Sequence, residues 1–137
     1  MRKKVLIVFL TLILLLTSVS SASAYTVVPR YNAITAVNTT IYPQTNGIGF
    51  DIMVYVPNSE TLDSAWIDVE IRNTAGIVVA TFSGKKMTKN LSYFYYSNST
   101  GISTSGTYFF TYEIRCYKDT ILVDNPTGTS EVVTYRA

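Results

Sequence analysis

Two stretches of this chain alternate oily and polar side chains with a period of two, and that rhythm limits what the chain can fold into. In the first, Ile48, Phe50, Ile52, Val54 and Val56 point one way, while Gly49, Asp51, Met53 and Tyr55 point the other. In the second, Tyr108, Phe110, Tyr112, Ile114 and Cys116 share a face opposite Phe109, Thr111, Glu113, Arg115 and Tyr117. Residues 65–72 repeat the pattern, with Ala65, Ile67, Val69 and Ile71 against Trp66, Asp68, Glu70 and Arg72. Successive side chains of a strand point to opposite faces, so this period is what a half-buried β-sheet leaves in a sequence.

The rest of the chain reads as shorter strands and turns. Asn46-Gly47 supplies the positive-φ residues of a tight hairpin turn, with Ile41 and Tyr42 on the incoming strand. Pro43 suits an edge position, where a missing N–H costs no ladder bond. Pro57-Asn58-Ser59 ends the next strand, and Ala75-Gly76 turns the chain into residues 77–83. Gly84-Lys85-Lys86 reads as a break, residues 90–96 as an aromatic strand, and 97–105 as a polar loop. Lys118-Asp119-Thr120 is a turn, and 121–123 begins a return that Asn125-Pro126-Thr127-Gly128 interrupts before a last strand at 131–135. With residues 33–42, these make about seven strands joined by turn signals. The expected fold is all-β, a two-sheet antiparallel β-sandwich.

The N-terminus has a different character. Arg2, Lys3 and Lys4 precede a charge-free apolar run at 5–16, and Ala22-Ser23-Ala24 has the small-x-small pattern of a signal-peptidase site. That run is about 12 residues, against the roughly 20 needed to cross a bilayer as a helix. The expectation is a signal-peptide helix over residues 1–24, cleaved between Ala24 and Tyr25, and a β-sandwich domain over 25–137. The membrane is then met only during export, and the mature protein is secreted.

Without the leader the chain keeps eight basic and nine acidic side chains, a net charge of about −1. That balance speaks against a nucleic-acid surface, which needs clustered cations. Lys85, Lys86 and Lys89 form the one basic cluster, which a solvated turn explains. Cys116 is the sole cysteine and falls in an alternating strand, so it reads as a small buried hydrophobe. The chain has no histidine.

Pro29-Arg30-Tyr31 followed by Ile34, and Gly106-Thr107-Tyr108 opening a long alternating strand that ends in Tyr117, are two short signatures. Through them the chain resembles a group of small exported proteins of Gram-positive bacteria whose function is unassigned. The resemblance implies an immunoglobulin- or fibronectin-III-like sandwich, and it brings no catalytic or binding residue. Asn125-Pro126-Thr127-Gly128 departs from the simple final hairpin such a fold would have. In such sandwiches a tyrosine near the start of the penultimate strand sends its hydroxyl to nearby backbone, and Tyr108 stands in that place.

Candidate chemistry is sparse. Asp68 and Glu70 share a strand face, as a glycosidase pair would, yet they alternate with Trp66 and Arg72 as ordinary solvent-facing residues do. A Ser or Cys nucleophile lacks a histidine base, and a zinc site lacks both histidine and a second cysteine. Asp119, Asp124 and Asn125 could meet a calcium ion, but without the spacing of a calcium loop. No catalytic residue, metal or cofactor is called for, and the chain reads as a non-enzyme. The sequons at Asn38, Asn90 and Asn98 matter only in a glycosylating pathway.

The aromatic excess is the most suggestive feature: eleven tyrosines, with Trp66, Phe109 and Tyr117 on the polar faces of their strands. Exposed rings on a sheet hold sugars or protein partners; the alternative is that they cap a sheet edge. The expectation is an extracellular interaction module for a protein or cell-envelope component, or else a carbohydrate-binding module using those three rings. A small secreted enzyme is the remaining class.

Overall fold

A computed structural model of the chain describes residues 31–137, and the signal-peptide expectation, with its Ala22, Ala24 and Tyr25, lies outside them. The described residues are all strand and turn. The first sheet is built from β1 (Ala36–Gln44), β2 (Gly47–Tyr55), β5 (Thr88–Lys89) and β6 (Tyr93–Gly101), in the order β1-β2-β6-β5. The second is built around β3 (Ser64–Asn73), β4 (Val78–Lys86) and β7 (Gly106–Lys118). Along the free side of β7 run β8 (Ile121–Asp124), β9 (Thr127–Thr129) and β10 (Val133–Tyr135). Every pairing is antiparallel.

The alternating stretches turn their oily faces inward. Ile48, Phe50, Ile52 and Val54 from one sheet and Ala65, Ile67, Val69, Ile71, Phe110, Ile114 and Cys116 from the other are wholly buried. Phe50 is the hub. Its ring lies 5.3 Å from Phe110 and 5.2 Å from Phe82, both in the opposite sheet, and 6.0 Å from Tyr96 in its own. Tilted and edge-on rings at these spacings contribute beyond their buried area. Leu62, in the connection from β2 to β3, adds a fully buried side chain from a loop.

Four expectations are corrected. The described strands number ten, not about seven, because the C-terminal edge strand is broken into three and β5 is an added two-residue piece. Residues 97–101 are strand, not loop, paired with β2 from Asp51↔Ser97 to Gly47↔Gly101. β4 passes through Gly84 to Lys86: a bulge between Ile67 and Val69 absorbs the glycine, whose φ of 59° a side chain would disfavour. In the first hairpin the turn residues are Thr45 and Asn46, and Asn46 does not adopt positive φ. Gly47 does have positive φ, at 156°, and a Cβ there would also sit 2.0 Å from the Thr100 carbonyl oxygen.

Two polar devices lock the frame. The Tyr108 hydroxyl donates to the Thr104 carbonyl at 2.7 Å, the corner bond its position suggested. Asp124 is buried, and its carboxylate accepts the backbone N–H groups of Asn32, Ala33 and Ile34 at 2.8, 2.7 and 3.1 Å. The first described residues are thereby pinned to the last part of the chain.

Candidate functional site

Trp66 faces outward because its neighbours Ala65 and Ile67 face in, and it is 37% exposed. The β3–β7 register sets Ser64 opposite Tyr117 and Trp66 opposite Arg115, so Trp66 and Tyr117 are diagonal neighbours on one face. Large side chains reach one another across such a diagonal. On its other side Trp66 is paired with Lys86 of β4. The indole therefore stands in a row of three, with a cation on each flank.

Beside the two rings lies a cleft of about 380 Å³ lined by Asp63, Ser64, Trp66, Tyr117, Asp119 and Thr120. Its far wall is the β7–β8 turn, in which Asp119 (φ 49°) and Thr120 (φ 66°) are both left-handed. Two consecutive left-handed residues match the right-handed twist of a hairpin, but a β-branched threonine there is strained by about 1–3 kcal/mol. Asp63 supports the turn, accepting the Asp119 N–H at 2.6 Å and Lys118 Nζ at 3.3 Å. The Asp119 N–H, first, and then Lys118 hold the Asp63 carboxyl below its ordinary value.

Phe109 is not part of this cleft. It pairs with Arg72, six residues along β3 from Trp66, or about 20 Å at strand spacing. The three rings named by the sequence resolve into one adjacent pair and one distant member. Thr120 on the cleft wall and Lys86 on the far flank of Trp66 were read in the sequence only as parts of turns, not as members of a site. Only the strand register and the turn conformation expose them.

The outer face of β3 and β7 holds a second hollow, of about 330 Å³, lined in part by Asp68, Glu70 and Glu113. Each carboxylate is engaged. Asp68 pairs with Arg115 and accepts the Gly84 N–H at 2.5 Å, Glu70 pairs with Arg72, and Glu113 accepts Asn125 Nδ2 at 3.2 Å. The Arg115 bond, with the Gly84 N–H second, holds the Asp68 carboxyl below the usual range. A general acid needs the opposite displacement.

The calcium candidates do not converge: Asp124 is spent on three backbone N–H groups, Asn125 on Glu113, and Asp119 lines the cleft. Among the described residues no group of three or more acidic or cysteine side chains could hold a metal ion. Cys116 is buried, and desolvation first, then the nearby Asp124 charge, pushes its thiol up to about 12.

No family model and no curated protein sequence matches the chain. Among solved structures it is similar to the crystal structure of a hypothetical protein from Pyrococcus horikoshii OT3. The TM-score is 0.44 at 12% identity, covering 75% of this chain and 92% of that one.

Proposed function

We propose that this chain is an exported, non-enzymatic binding module of the immunoglobulin or fibronectin-III type that engages an extracellular partner, in the first place a cell-envelope component, through its Trp66–Tyr117 end. The strand orders support the type. The series β1-β2-β6-β5 and β10-β7-β3-β4 correspond to the A-B-E-D and G-F-C-C′ sheets of such sandwiches, and the Tyr108–Thr104 bond supplies the corner. Export rests on the basic, apolar and small-x-small succession of the first 24 residues, and the likeness to small Gram-positive exported proteins on the two signatures given above.

The observation that carries the binding reading is the pair of outward aromatics set over a polar-walled cleft. Concave sites with aromatic floors and a few convergent polar groups are where small ligands are taken. Ser64, Thr120, Asp63 and Asp119 around two rings suit a hydroxyl-rich sugar better than a flat protein surface. A protein partner is the second reading, favoured by Ile121 and Leu122, exposed at 68% and 48% on the adjoining hairpin.

Cosedimentation with purified cell-wall material tests the proposal. The wild type is expected to pellet with the wall, and Trp66→Ala to weaken that binding at least tenfold, the loss typical of an anchoring aromatic. Equal binding by the two proteins would remove the site. Loss in an Ile121→Ser/Leu122→Ser variant with Trp66→Ala unaffected would favour the protein reading.

A further inference from the structure

The lysines of this domain are distributed unevenly. The chain has four beyond its N-terminal pair, Lys85, Lys86, Lys89 and Lys118, in a stretch from residue 31 onward that carries more acid than base. β4 ends at Lys86, β5 ends at Lys89 and β7 ends at Lys118, and the pairings Trp66↔Lys86 and Ser64↔Tyr117 bring those three ends together. All four therefore gather at the end of the sandwich that holds Trp66 and Tyr117.

Their engagement differs. Arg72, Arg115 and Lys118 each pair with a carboxylate, whereas Lys85, Lys86 and Lys89 pair with none among the described residues. A third hollow, of about 480 Å³, is lined by Lys86 and Lys89 and shares Asp63 and Ser64 with the aromatic cleft. The two adjoin at Asp63 and Ser64, a depression with Tyr117 and Trp66 on one side and the uncommitted Lys86 and Lys89 on the other. From β7 to β4 it crosses two strand spacings, about 10 Å. Asp63 at its middle is already answered by the Asp119 N–H and Lys118, which leaves Asp119 as the one unpaired carboxylate on the wall.

We infer that the ligand of this depression is an acidic polysaccharide, its sugar rings against Trp66 and Tyr117 and its anionic groups on Lys86 and Lys89. The inference rests on the reading of this end as the binding site and names what that site selects. A neutral glycan would leave the ammonium groups unused, and a plain polyanion would leave the rings unused. The ligand that satisfies both carries charge on a cyclic, hydroxylated backbone. The charge-bearing group can be a carboxylate or a sulfate, since either accepts from an ammonium.

Trp66 is the sole tryptophan, so its fluorescence reports occupancy of the cleft directly. Full-length purified protein is titrated with oligogalacturonate, its methyl ester, dextran sulfate, dextran and poly-glutamate. At least one acidic saccharide is expected to perturb the Trp66 emission and bind at least tenfold tighter than its neutral counterpart, with affinity falling as salt rises. A Lys86→Gln/Lys89→Gln variant is expected to lose that tenfold while retaining the weak neutral binding. Carboxylate and sulfate arms identify the preferred acid. If neutral saccharides bind as tightly as acidic ones, if poly-glutamate matches them, or if no saccharide binds, the inference is overturned. The cell-wall assay with Trp66→Ala judges the underlying site independently of that result.

Discussion

Asp124 gives the sharpest test of how the domain is closed. The carboxylate is 6% exposed and serves three consecutive backbone donors, Oδ1 taking Asn32 and Oδ2 taking Ala33 and Ile34. Asp124→Asn keeps the shape but replaces one acceptor with an NH2 group. In the better orientation the amide oxygen keeps Ala33 and Ile34, and the NH2 is set against the Asn32 N–H. One donor is then left unmade, at about 1–3 kcal/mol. The two surviving bonds fall from roughly 1.5–3 to roughly 0.5–1.5 kcal/mol each as the charge is lost. Taking the lower end for the partly solvated Asn32 donor gives a loss of about 3 kcal/mol. At about 4–8 °C per kcal/mol for a domain near this size, Tm is expected to fall by roughly 12–24 °C. Thermal melts followed by circular dichroism measure this, and hydrogen exchange should show protection lost first at residues 32–34. Asp119→Asn, at a cleft-lining aspartate outside this clasp, is the control and should leave Tm in place. An Asp124→Asn protein that melts with the wild type would refute the view that these three bonds fasten the chain.

Tyr108→Phe removes only the hydroxyl that donates to Thr104, and should cost about 1 kcal/mol, read as a lower midpoint in urea with an unchanged slope. Cys116, with its thiol pushed up to about 12, should resist iodoacetamide at neutral pH in the folded protein and react once urea unfolds it; rapid labelling of the native state would contradict its burial. Asp68 is held below its ordinary 3.8 by Arg115 and then Gly84, so its stabilisation is fully present above the unfolded value and vanishes as pH falls through the folded one. The acid limb of a Tm–pH curve should therefore be shallower in Asp68→Asn, and an identical limb would count against the ion pair.

The parts of the fold legible in the sequence are those where one strand face meets the core and the other meets water. β2, β3 and β7 are such strands, and Phe50, Ile67 and Phe110 sit where the two-residue rhythm places them. β6 beyond Tyr96 is polar on both faces, because its only buried side chain is Phe94 and its ladder is supplied by β2, so nothing local marked it as strand. Lys85 and Lys86 read as a turn since the bulge at Gly84 that carries β4 past them is written in the pairing with β3. Asp124 gave no sign of being buried, because its partners are backbone groups some ninety residues away. The Trp66–Tyr117 pair was legible once β3 and β7 were aligned, whereas the remoteness of Phe109 is a matter of strand length that alternation does not express.

The clasp between residues 32–34 and Asp124 also dictates when the domain can shut. A chain delivered N-terminus first cannot make it until residue 124 of 137 has arrived, and β7 lacks the whole of one flank until then. Through most of that passage the oily faces of β2 and β3 have no finished partner. Long-range pairing of this sort is slow, and half-built sheets adhere to one another. Until that final strand docks, a chain made or moved N-terminus first keeps these faces open to water and to one another.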